Sequence, residues 1–81
     1  YIISNKSIEI ADRILRDMDR GVTALQGVGM YSRDERVVLL CVINRFETMK
    51  LRNIVSELDP GAFLIATNVH EALGEGFKPH L

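Results

Sequence analysis

A two-layer α+β sandwich with strands and helices in the order βαββαβ is the fold class this 81-residue sequence predicts. Three observations carry the prediction. Two segments space their apolar residues as helices do, four short segments are apolar and rich in strand-forming residues, and glycine or proline punctuates the gaps between them. The length suits a single compact core spanning residues 1–81.

Tyr1-Ile2-Ile3 reads as a strand at the very start of a chain that does not begin with Met, which suggests a piece cut from a larger protein at a domain boundary. Ser4-Asn5-Lys6-Ser7 carries cap-type residues, and beyond it Ile10, Ala11, Ile14, Leu15 and Met18 form one helical face. Glu9/Arg13 and Asp12/Arg16 stand at i,i+4 on the opposite face, and Gly21 offers a left-handed C′ position. Val22 to Gln26 suits a second strand, Gly27-Val28-Gly29 a bend or bulge, and Met30-Tyr31 a resumption of the strand. Ser32 to Glu35 then reads as a hairpin tip leading into a third strand, Arg36 to Ile43.

Asn44 and Glu47 have capping-box spacing ahead of Leu51, Ile54, Val55 and Leu58, which predicts the second helix. Asp59-Pro60-Gly61 ends it, because Pro60 disfavours a helical conformation at the residue before it. Ala62 to Thr67 alternates as a fourth strand, and Val69 to Leu73 has room for one helical turn. Two split βαβ units with right-handed crossovers make a ferredoxin-like sandwich, with both helices on one face of a four-stranded antiparallel sheet and strands one and three central.

In such a sandwich the second face of the sheet meets solvent and its residues should be polar. The third strand departs from that rule: Val37/Leu39/Cys41/Ile43 and Val38/Leu40/Val42 are both apolar sets. Burying one such side chain is worth roughly 1.5–3 kcal/mol, so the second face should be covered. The cover is either a copy of the same chain or another part of the parent protein. Val38, Leu39, Leu40 and Val42 are the interface candidates.

Charge narrows the function classes. Ten Lys plus Arg interleave with eleven Asp plus Glu, which argues against a nucleic-acid partner and against a polybasic membrane arm. No apolar run approaches 18 residues and no secretory signal is visible. Cys41 is the lone cysteine and has no internal disulfide partner, which suits a reducing compartment. His70 and His80 lack neighbours at metal-ligand spacing, and no nucleophile stands with a base, so neither an enzyme nor a required cofactor is expected. Two glycine pairs remain. Gly27 with Gly29, and Gly74 with Gly76, can present backbone N–H groups to an anion or small ligand, with the Thr23 hydroxyl near the first pair; the alternative is a bulge and a loop turn.

The segments Tyr1-Ile2-Ile3-Ser4, Gly21-Val22-Thr23, Gly27-Val28-Gly29-Met30-Tyr31, Val38-Leu39-Leu40-Cys41-Val42, Asp59-Pro60-Gly61-Ala62-Phe63 and Gly74-Glu75-Gly76-Phe77 together resemble the C-terminal domain of unknown function of the YitT family of bacterial multi-pass membrane proteins. That resemblance implies a soluble domain following transmembrane helices, on the cytosolic side, with no established activity. A fainter similarity runs to the PII signalling proteins, ferredoxin-like trimers that bind nucleotides between subunits. Gly21-Val22-Thr23, Gly27-Val28-Gly29 and Gly61-Ala62-Phe63-Leu64 carry it, whereas the long regulatory loop shrinks to the tip at Ser32 to Arg36 and the phosphate-gripping basic residues have no clear counterparts.

The expectation is therefore a non-enzymatic, homo-oligomeric regulatory or ligand-sensing domain of a bacterial membrane protein, a transporter being the parent in view. The small-molecule ligand is expected from the two glycine pairs and the doubly apolar third strand, and a trimer and a nucleotide ligand are what the PII likeness implies. The other reading is a structural oligomerisation or docking module without a ligand. The location implied is the cell membrane for the parent and the cytoplasm for this domain, or a free cytoplasmic protein.

Overall fold

The structure is a computed structural model that describes residues 1–69 and 73. Its elements are β1 (Ile2–Ile3), α1 (Ser7–Met18), β2 (Thr23–Val28), β3 (Glu35–Leu40), a 3₁₀ turn (Arg45–Glu47), α2 (Thr48–Leu58) and β4 (Phe63–Leu64). The strands form one sheet in the order β2-β3-β1-β4, with every neighbouring pair antiparallel. This is the ferredoxin-like arrangement, with β3 and β1 in the centre as the split βαβ pattern requires.

Both helices pack on the same side of the sheet. Ile10, Ile14 and Met18 of α1 meet Leu51, Ile54 and Val55 of α2 over Ile2 and Leu39, and these eight residues are the buried core. In α1 the buried column follows i, i+4, i+8, so Leu15, expected in the core, falls on the flank and is 51% exposed. Arg13 ties the two helices by pairing with Asp17 at 2.8 Å and with Glu57 at 3.6 Å. It does not take the Glu9 partner that spacing alone suggested.

The connections show where local sequence signals were displaced. Asp19, φ 53°, supplies the left-handed residue that ends α1, a role expected of Gly21; Gly21, Gly27, Gly29 and Gly61 all avoid the left-handed region. Ser4 does not cap α1. Its hydroxyl accepts the Lys6 N–H and donates to the Asp59 carboxylate at 2.5 Å, which clamps the β1–α1 turn to the end of α2. The capping box is present: Glu47 accepts the Asn44 N–H at 2.8 Å, opening the short 3₁₀ turn ahead of α2.

The β2–β3 hairpin runs from Thr23 opposite Leu40 to Val28 opposite Glu35 with no offset, so Gly27 is an ordinary ladder position and not a bulge. Its tip is Met30 to Arg33 and does not lie at Ser32 to Glu35: the Gly29 N–H donates to the Asp34 carbonyl at 2.8 Å, and Arg33 turns the chain with φ 64°. Met30 and Tyr31 accordingly leave the strand. β3 stops at Leu40, so Val42 lies beyond the ladder. β4 is shorter than Ala62 to Thr67, although main-chain bonds between Tyr1 and Ile65 carry the pairing one residue further. Gly74, Gly76, His70, His80 and most of the turn expected over 69–73 lie outside the described residues.

Candidate functional site

Strand pleat and register together define what the second face of the sheet presents. Ile2 and Leu39 point to the helices, as do Val37, Cys41, Ala62 and Leu64, which pack against the core. Residues one position away point the opposite way. Leu25, Val38, Ile3 and Phe63 then line up across all four strands, because Leu25 is opposite Val38, Val38 is opposite Ile3 and Ile3 is opposite Phe63. A second row joins Thr23, Leu40, Tyr1 and Ile65.

This open face is apolar, and no described element covers it. Phe63 is 68% exposed, Ile65 50%, Tyr1 44% and Leu25 41%, while Ile3, Val38 and Leu40 are half-buried. Its nearest charge in the ladder is Arg36, opposite Gly27 at the hairpin end. The Arg36 side chain lies over Gly29, where a Cβ would come within 2.9 Å of Nε. Exposed apolar residues that are scattered need no explanation, but a contiguous set spanning four strands marks an interaction surface.

The anticipated interface residues divide. Val38 and Leu40 belong to the open face. Leu39 does not: it is 2% exposed and faces the helices, since a strand turns alternate residues to opposite sides. Ile3, Tyr1, Leu25, Phe63 and Ile65 complete the face and were not singled out from sequence. The alternation of Phe63/Ile65 against Ala62/Leu64 was the signal available, and it needed the strand order to show which neighbours it would meet.

The anticipated ligand residues are spread out. Thr23 is at one end of β2 and Gly29 just past the other, about 20 Å apart at strand spacing. Gly27 and Gly29 are neighbours near the hairpin tip. A concavity of about 210 Å³ lies instead where β3 runs past β1, bounded by Ile3, Ser4, Asn5 and Ser7 and by residues 35–37 of β3. It includes none of Thr23, Gly27 and Gly29.

Titratable groups play structural parts. Burial pushes the Cys41 thiol above its usual value, with the Glu47 carboxylate adding to the effect, so Cys41 is a weakened nucleophile. Glu47 itself is held by Asn44 and by Arg20, whose Nε lies 3.1 Å from Oε1. Asp59 is held below the ordinary carboxylate value, first by the Ser4 hydroxyl and then by the Gly61 N–H, against an opposing cost of burial. Among the described residues no His, Cys, Asp and Glu side chains group as a metal site, and no helix is long and apolar enough to cross a membrane.

Fold and surface define a small ferredoxin-like domain whose sheet carries an apolar face that no described element covers. The chain belongs to the family described as "Uncharacterized protein conserved in bacteria (DUF2179)", whose profile matches residues 20–74. It is 43% identical over 76 residues to the UPF0750 membrane protein YpjC of Bacillus subtilis, covering 94% of this chain and 26% of that one. The UPF0750 membrane protein YitT of the same organism is 34% identical over 73 residues, covering 90% of this chain and 25% of that one. This chain thus spans about a quarter of the length of these relatives. Among solved structures, an uncharacterized DUF2179 protein from Eubacterium ventriosum superposes with a TM-score of 0.72 at 45% identity, covering 82% of this chain and 90% of that one.

Proposed function

We propose that this chain is a non-enzymatic assembly domain of a larger bacterial membrane protein, and that it joins copies of its parent by packing open sheet face against open sheet face. One observation carries the reading: the contiguous apolar surface of Leu25, Val38, Ile3, Phe63, Leu40, Tyr1 and Ile65, which the domain's own helices leave bare. A second copy fits it best because the face is predominantly apolar, with Arg36 set at its hairpin end, and closed symmetric association is the commonest form of soluble oligomer. The membrane context is supported by the relatives named as membrane proteins, of which this chain matches about a quarter. A cytosolic location accords with the single unpaired Cys41. Regulation of the parent would be exercised through this association, with any ligand acting on it from the Gly27 and Gly29 end of the hairpin.

Sedimentation of the 81-residue chain tests the reading. The wild type is expected to associate at micromolar concentration. Phe63→Glu and Val38→Glu, which place a carboxylate on the face without touching the core, are expected to lower the mass by one association step and leave the circular dichroism spectrum unchanged. A wild type and variants of equal mass would overturn it.

A further inference from the structure

We infer that the outer edge of β2 pairs with β2 of a second copy, antiparallel about a two-fold axis at Leu25, so that the sheet continues from one copy into the next. The inference concerns the edge of the sheet and not its face, and it stands or falls separately. β2 is an end strand, six residues long, and among the described residues it is bonded on one side only. Thr23, Ala24, Leu25, Gln26 and Val28 are all exposed.

Such an edge ordinarily carries a lysine, a proline, an inward charge or a bulge that prevents pairing with another chain. β2 carries none of these. Its ladder is unbroken, and the whole stretch from Gly21 to Tyr31 lacks any Asp, Glu, Lys, Arg or Pro in a chain that is 26% charged. The opposite edge, β4, is two residues long and has no comparable length to offer.

The hydrogen-bond phase selects the register. The Gly29 N–H donates to the Asp34 carbonyl, so Gly27, Leu25 and Thr23 turn their main-chain groups inward to β3. Ala24, Gln26 and Val28 therefore turn theirs outward. An antiparallel pair centred on Leu25 sets Ala24 of one copy opposite Gln26 of the other, and every outward N–H in that stretch meets an outward carbonyl. The two Leu25 side chains meet across the axis on the open-face side, and Thr23 comes opposite Gly27. The same arrangement doubles the apolar row of Leu25, Val38, Ile3 and Phe63. Edge pairs stacked face to face would close as an assembly of dihedral symmetry.

Disulfide trapping tests the register. In a Cys41→Ser, Phe63→Glu background, where the face contact is removed, Leu25→Cys should form a linked dimer on mild oxidation, since side chains so placed lie within disulfide reach. The yield should exceed that of Tyr31→Cys, an equally accessible control, by about tenfold. Thr23→Cys should link to Gly27→Cys when the two are mixed and should not link to itself. Adding Gln26→Pro removes an outward donor while sparing the bonds to β3, and should return Leu25→Cys to the control yield; Gln26→Lys serves the same purpose should the proline variant fold poorly. A Leu25→Cys yield no higher than the control, or one indifferent to both Gln26 variants, overturns the inference and leaves the Phe63→Glu test of the face unaffected.

Discussion

Gly27 and Gly29 are two residues apart and respond to different physics. At Gly27 a Cβ would meet only the Arg36 carbonyl oxygen at 3.6 Å and a Val38 methyl at 3.9 Å, which is ordinary contact, in a backbone that any residue adopts. Gly27→Ala should therefore stabilise the domain by about 0.4–1 kcal/mol through the unfolded chain, raising Tm in a thermal melt. Gly29→Ala has to displace Arg36 from 2.9 Å and should forfeit that gain. A lower Tm for Gly27→Ala would show that the position is strained. Asp59 responds to pH. Its carboxyl is lowered in the folded state chiefly by the Ser4 hydroxyl, so its contribution is complete above the ordinary value near 3.8 and is lost as the pH falls through the depressed one. Asp59→Asn should lower Tm at neutral pH, and the gap to wild type should close in acid. A gap that stays constant with pH would exclude the clamp as its source.

At the scale of the element, β3 explains why neighbouring leucines have unlike roles. Both of its faces are apolar, and in a run such as Val37 to Leu40 composition does not say which residues face the helices. Pairing of Leu39 with Ile2 settles it, since Ile2 is fully buried under both helices. Leu39→Ala should cost about 2–5 kcal/mol, a large part of the stability of a domain this small. Leu40→Asp should leave the monomer folded and weaken association instead. Urea titration paired with sedimentation separates the two outcomes, and loss of folding in Leu40→Asp would show that the open face supports the monomer. β2 is a second such case. Its sequence marked it as a strand, whereas its standing as an uncharged end strand depends on the sheet order.

For the whole molecule, a domain of this size has little core to spare, with eight buried side chains among the described residues holding the helices to short strands. The proposed association would add stability by mass action, because a partner that binds only the folded form shifts the unfolding equilibrium. The Tm of the wild type should rise with protein concentration, and that of Phe63→Glu should rise less. A wild-type Tm independent of concentration would mean that the apolar face contributes nothing between copies.

Sequence by itself determined the element order, the helix spacing, the capping box at Asn44 and Glu47, and the family to which the chain belongs. These depend on neighbours within a few residues, or on the chain as a string. It also showed that β3 was too apolar for a wet face. The tertiary structure alone decided that Leu39 is core and Val38 is not, that Leu15 lies on a flank, and that Asp19 and not Gly21 takes the left-handed turn. It also aligned Leu25, Ile3 and Phe63, which are far apart in the chain, into one surface. The physical reason is that a strand offers two equivalent sides and two edges. Which side meets the helices and which edge stays unpaired are settled only when the other strands take their places.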